Sequence, residues 1–119
     1  MTDLKNKAVL VTGGATHIGQ AVVKELKGLG ADVIIADINQ EQGQQVANET
    51  QTRFEYLDLA SDDSIQALVG KLTQVDILVN LACLYEDHGS QSTRQDWQNT
   101  FNVTVFGHAA LVQACRPLL

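Results

Sequence analysis

Positive charge is scarce in this 119-residue sequence: eight Lys and Arg stand against fourteen Asp and Glu, for a formal net charge of −6 with His neutral. Scattered cations on an acidic chain leave no electrostatic footprint for a phosphate backbone, so no nucleic-acid partner is expected. An acidic membrane surface is not an expected partner, on the same ground. Long apolar runs are missing too. None approaches the roughly 20 residues that a membrane-crossing helix needs, and Met1-Thr2-Asp3-Leu4-Lys5 has no signal-peptide core. Cysteine occurs only at Cys83 and Cys115, a spacing that suits no metal. The expectation is two free thiols in a reducing cytoplasm and no metal site. Proline occurs once, at Pro117, where it ends the last helical pattern. There is no internal repeat. The one biased stretch, rich in Gln from Gln40 to Gln51, carries Glu41, Val46, Ala47 and Glu49 and suits a solvated helix.

What is present is a hydrophobic fraction of 45%, enough for one core and one domain. Four short apolar runs read as strands: Ala8-Val9-Leu10-Val11, Val33-Ile34-Ile35-Ala36, the weaker Phe54-Glu55-Tyr56-Leu57, and Ile77-Leu78-Val79. The first, second and fourth are apolar at consecutive positions, as in a strand covered on both faces. Helical spacing lies between them. Ile18, Val22, Leu26 and Leu29 form one set, stopped by Gly30. Ile65, Leu68, Val69 and Leu72 form another, with Ser61 or Asp62 as the N-cap. A last helix is expected from Ser92 or Thr93 towards Cys115, with Trp97, Phe101, Val105, His108 and Val112 along one side. Strand–helix alternation of this kind means right-handed βαβ units. The expected fold is α/β, a Rossmann-type doubly wound parallel sheet in the order 3-2-1-4. Leu84 to Gln91 reads as a surface loop near the ligand crevice.

The chemistry starts at Thr12-Gly13-Gly14-Ala15-Thr16-His17-Ile18-Gly19, between the first strand and first helix. Glycines there let the backbone approach a phosphate, and the N–H groups and dipole of the helix N-terminus favour the anion. A glycine cluster alone is weak; one at the head of a βαβ unit is a nucleotide turn rather than an ordinary tight turn.

These residues resemble the short-chain dehydrogenase/reductase family, whose turn is Thr-Gly-x-x-x-Gly-x-Gly. Here it reads Thr12, Gly13, then His17 in place of the second glycine, and Gly19. The spacing resembles the classical branch of the family rather than the extended, epimerase-like branch, which has two residues between its first two motif glycines. A side chain at His17 must turn away from the pyrophosphate or contact it. Asp37 ends the second strand eighteen residues after Gly19, followed by Ile38, Asn39 and Gln40 and not by Arg or Lys. A carboxylate there accepts from the adenosine ribose hydroxyls and repels a 2′-phosphate, so NAD(H) is favoured over NADP(H). The same residue also suits a cap for the second helix. The resemblance further implies that Asp58 reaches the adenine amino group and that the backbone of Leu59 contacts adenine.

Asn80-Leu81-Ala82-Cys83 stands where the family has Asn-Asn-Ala-Gly; Asn80 and Ala82 match, while Leu81 and Cys83 do not. Cys83 is placed near the nicotinamide ribose or is a buried structural thiol. Asn102 resembles the helix asparagine of the catalytic tetrad, which helps anchor a water beside a catalytic lysine; a plain surface position is its alternative. The expected cofactor-binding set is thus Thr12, Gly13, Ala15, Thr16, His17, Ile18, Gly19, Asp37, Asp58, Leu59, Asn80, Ala82 and Cys83, with Asn102 in the catalytic role.

The family's Tyr-x-x-x-Lys does not occur: Tyr56 is followed at the fourth position by Ala60, and Tyr85 by Gly89. Residues 1–119 are therefore expected to be the NAD(P)-binding N-terminal part of a longer domain. Two functions compete. One is a cytoplasmic piece, inactive by itself, of an oxidoreductase that moves a hydride between NAD(H) and an alcohol or carbonyl, and that assembles as a homo-oligomer. The other is a non-catalytic nucleotide-binding or interaction module.

Overall fold

A computed structural model describes residues 3–84 and 88–119. Four parallel strands, β1 (Ala8–Thr12), β2 (Asp32–Asp37), β3 (Arg53–Tyr56) and β4 (Ile77–Asn80), form one sheet in the order β3-β2-β1-β4. The helices α1 (His17–Gly28), α2 (Gln40–Thr50) and α3 (Asp62–Val69) carry the first three crossovers. After β4 come α4 (Arg94–Phe101), a π-helical turn (Asn102–Gly107) and α5 (His108–Cys115). Tyr85, set aside above as a general acid, lies outside the described residues.

Consecutive apolar residues in β1 and β2 supply both faces of the sheet. Val9, Val11, Val33 and Ile35 pack with Val23, Val46 and Ala47 of α1 and α2. Leu10 and Ala36 point the other way, into a cluster with Ile65, Leu68, Leu111 and Cys115 of α3 and α5. A run without alternation is thus the signature of a covered central strand.

The starts of α1 to α4 each have their own cap. The side chains of Thr16, Asn39, Ser61 and Thr93 accept from the backbone N–H of Gly19, Gln42, Ser64 and Asp96 respectively. The cap of α2 is therefore Asn39, not Asp37, whose carboxylate accepts from the N–H of that cap residue and from Ala15 N–H.

Two helical phases differ from the spacing in the sequence. In α1 the fully buried residue is Val23, whereas Ile18 is 71% exposed at the helix start. The last helix is not continuous. Its π-helical turn inserts extra backbone, so a period of 3.6 residues cannot be carried from Trp97 to Val112. The buried face beyond the turn is Gly107, Leu111 and Cys115. Trp97, Phe101, Val105 and Val112, expected along one side, are all exposed, with Phe106 beside them.

Candidate nucleotide-binding cleft

The carboxyl ends of the strands open onto a cleft of about 280 Å³. In a doubly wound sheet this end, where the chain turns from strand to helix, is where ligands bind. The cleft draws one wall from each strand: Gly13 and Thr16 after β1, Ala36 to Ile38 at the end of β2, Leu57 to Leu59 after β3, and Ala82 to Leu84 after β4. Val103 closes it from the π-helical turn.

The glycine turn has a fixed shape. Gly13 adopts φ +72°, and a Cβ there would lie 2.7 Å from the Ala82 nitrogen. Only glycine suits both that conformation and that approach. The Gly13 N–H donates to the Ala36 carbonyl at 2.9 Å, which ties the turn to β2. The Thr16 hydroxyl donates to the Gly13 carbonyl at 2.8 Å and accepts from Gly19 N–H at 3.0 Å. A Cβ on Gly19 would collide with the Gly13 carbonyl, so the helix can start this close to the turn only without a side chain there. These bonds aim the N-terminus of α1, with its partial positive charge, at the cleft wall that Gly13 and Thr16 form.

Two carboxylates sit on the rim. Asp37 accepts from Ala15 N–H at 3.1 Å and from Asn39 N–H at 2.9 Å. A carboxylate offers about four acceptor positions, so capacity is left for a hydroxyl-bearing ligand. Asp58 accepts from Ala60 N–H at 2.9 Å, and its own N–H donates to the Ser64 hydroxyl at 2.9 Å. Between them the apolar side chains of Ile38, Leu57, Leu59, Leu84 and Val103 line the cleft.

Of the residues singled out in the sequence, Gly13, Thr16, Asp37, Asp58, Leu59, Ala82 and Cys83 meet in this cleft. The others stand outside it in different ways. Thr12 is fully buried; its hydroxyl accepts from Leu81 and Ala82 N–H at 3.2 and 3.3 Å and donates to the Val79 carbonyl at 3.5 Å. It fastens β1 to the chain leaving β4. Ala15 is buried behind the turn and contributes its N–H to Asp37. Gly19 is buried against the turn, His17 and Ile18 are exposed at the start of α1, and Asn80 is exposed at the end of β4 beside Thr12. Cys83 is exposed in the cleft rather than buried; Cys115 is the core thiol, and burial pushes its pKa up. Asn102 is not brought to the cleft. Its exposed side chain lies on the outer surface with Trp97, Phe101 and Phe106. Its neighbours Val103 and Thr104 are the residues that face the β4 loop and cleft. The lining residues Ala36, Ile38, Leu57, Leu84 and Val103 were not singled out as site residues.

Among the described residues no group of three or more His, Cys, Asp or Glu is placed to hold a metal, and no helix is long and apolar enough to cross a membrane.

The geometry has parallels in known proteins. The family model described as short chain dehydrogenase matches residues 7–119. A 2,5-dichloro-2,5-cyclohexadiene-1,4-diol dehydrogenase of Sphingobium indicum is 40% identical over 73 residues, covering 60% of this chain and 29% of that protein. A solved short chain dehydrogenase/reductase family protein is 32% identical with a TM-score of 0.91, over 98% of this chain and 51% of its own. A Shigella flexneri short chain dehydrogenase, solved in complex with NADP, is 27% identical with a TM-score of 0.86, over 100% of this chain and 56% of its own. The chain spans between 29% and 59% of the length of the relatives and structures it matches. The match over nearly every residue, on a sheet of the same architecture, identifies the chain as a member of the short-chain dehydrogenase family.

Proposed function

We propose that this chain is the nucleotide-binding part of an oxidoreductase and that it holds NAD(H) in preference to NADP(H). The observation that carries the reading is the joining of three chemistries in one cleft: the Gly13 turn with the N-terminus of α1, the Asp37 and Asp58 carboxylates, and apolar walls. A dinucleotide needs this combination, with an anionic centre, hydroxyl-bearing riboses and flat rings. The turn and α1 would receive the pyrophosphate. Asp37 would accept from the adenosine ribose hydroxyls, and Ile38 beside it supplies no cation for a 2′-phosphate. Asp58 and Leu59 would face adenine, and Ala82 and Cys83 would flank the nicotinamide ribose. Bound NAD(H) supplies hydride transfer; the chain's part is to bind it and orient it.

On this reading the protein acts on a small alcohol or carbonyl compound, works in the cytoplasm and assembles with copies of itself. Residues 1–119 contain no Tyr-x-x-x-Lys, so the acid–base step is not assigned to any residue here. The exposed apolar surface of Trp97, Phe101, Val105 and Phe106 supports self-assembly. The two free cysteines fit a reducing compartment.

Calorimetric titration with NAD⁺ and NADP⁺ tests the proposal. NAD⁺ is expected to bind more tightly, and Asp37→Ala is expected to narrow the gap by removing repulsion of the 2′-phosphate. Equal affinities in the unmodified chain would remove the role given to Asp37, and no binding of either would end the nucleotide reading.

A further inference from the structure

The π-helical turn does something for the cleft that its lining residues alone do not show. Two side chains four residues apart, Thr104 in the turn and His108 at the start of α5, both reach the chain leaving β4. The Thr104 hydroxyl accepts from Leu84 N–H at 3.3 Å and lies 3.4 Å from the Leu84 carbonyl. The His108 Nε2 meets the Ala82 carbonyl at 2.5 Å. Gly107 between them lets the helix close on the loop after β3, since a Cβ there would strike the Leu59 carbonyl. On the opposite side Thr12 accepts from Leu81 and Ala82 N–H. The segment Ala82–Leu84, all of it cleft wall, is therefore fastened from two directions.

His108 adds an independent sign. A carbonyl can only accept, so Nε2 carries the proton and Nδ1 is left with a lone pair. Nδ1 is buried and has no hydrogen-bond partner among the described residues. An unmatched buried nitrogen works against stability, and a leucine would fill similar space without it. Packing alone gives no reason for histidine here; the bond from Nε2 to Ala82 does.

We infer that Thr104 and His108 are positioning residues that hold Ala82–Leu84 in the shape that receives the nicotinamide half of the dinucleotide. The ligand half of this inference rests on the nucleotide reading above; the fastening of the loop does not.

Amide hydrogen exchange and nucleotide titration on the whole chain test the two halves separately. Thr104→Val and His108→Leu are expected to speed exchange at Leu84 by roughly five- to tenfold, the effect of losing one hydrogen bond. Amides of β1 and β2 should keep their protection. Thr104→Ser and His108→Gln, which keep a hydroxyl and a donor at the same reach, should restore slow exchange. Both disruptive variants should weaken NAD⁺ binding by a similar factor and leave AMP, which has no nicotinamide half, unchanged. Unaltered exchange at Leu84, or a rise shared equally by β1 and β2, would overturn the fastening role. Equal losses of NAD⁺ and AMP affinity would overturn its assignment to the nicotinamide side. If the unmodified chain bound neither ligand, the nucleotide reading would fall, and exchange at Leu84 would still decide the fastening.

Discussion

Replacing Gly13 by Ala adds a single methyl group and should be among the most damaging small changes this chain can take. Two costs combine. Gly13 sits at φ +72°, in the left-handed region, which costs a residue with a Cβ about 1–2 kcal/mol. The new carbon would also lie 2.7 Å from the Ala82 nitrogen, 2.8 Å from its Cα and 3.0 Å from the Leu81 carbonyl carbon. All three are backbone atoms, and they are pinned by the Thr12 hydroxyl, so they cannot swing aside as a flexible side chain would. Overpacking of this kind costs about 1–3 kcal/mol. The sum, about 2–5 kcal/mol, is a large part of the roughly 5–15 kcal/mol that holds a domain folded. Gly28→Ala is the matched control. Gly28 ends α1 with open space around its Cβ position, so alanine there should be neutral or stabilising by up to about 1 kcal/mol. Urea unfolding followed by circular dichroism would read both, with the Gly13→Ala midpoint lower by on the order of 1–2 M. A Gly13→Ala loss no greater than the Gly28→Ala change would refute the argument that this turn is pressed against the β4 loop.

Three further outcomes follow from the same geometry. Iodoacetamide should label Cys83, which is exposed in the cleft, well before the fully buried Cys115, and NAD⁺ should slow labelling at Cys83 alone; mass spectrometry of the digested chain distinguishes the two. Asp76 and Asp96 should make the chain acid-sensitive. Hydrogen bonds from Ala8 N–H and the Gln74 amide, and from Thr93 N–H, hold these carboxyls below their usual pKa. Their stabilisation is thus complete above about pH 4 and is lost as pH falls through the lowered value; Asp76→Asn and Asp96→Asn should flatten the pH dependence of urea midpoints between pH 5 and 2, and an unchanged slope would contradict it. At the sheet edges, β3 carries Arg53 and Glu55 whereas β4 offers Ile77, Leu78 and Val79 without a charge, so the isolated chain should self-associate in a concentration-dependent way by sedimentation; a single well-folded monomer at every concentration would count against the unprotected edge.

The sheet was legible because its central strands are covered on both sides. Val9-Leu10-Val11 and Val33-Ile34-Ile35 have no polar alternate, the pattern of a strand covered on both faces, and alternation with helical spacing makes that a parallel sheet. Glycine and carboxylate positions at the strand ends were legible for a related reason: Asp37 ends a strand and Gly13 and Asp58 follow strands, at the end where such sheets bind. What the sequence hid were events that change phase or depend on a partner far along the chain. Nothing in Asn102–Gly107 announces a π-helical turn, so a stripe assigned at 3.6 residues puts Trp97 and Phe101 on a face that is in fact open to solvent. Thr12 reads as part of the glycine turn, yet its hydroxyl is spent on Leu81 and Ala82, some seventy residues away. Ile38, Leu57, Leu84 and Val103 carry no motif at all; they become cleft residues only because four strand ends converge.

His17 shows how the glycines of such a turn divide between two tasks. At Gly13 and Gly19 a Cβ would collide with backbone of this chain, so glycine is demanded by the fold whether or not a ligand is bound. His17, the first residue of α1, is exposed, and the helix starts there without any backbone special to glycine. A glycine at that place in a related chain would therefore serve the approach of a ligand and not the closure of the turn. The departure leaves the folded turn intact and places its consequence at the exposed start of α1, outside the cleft lining. There the imidazole stands exposed at the positive end of α1.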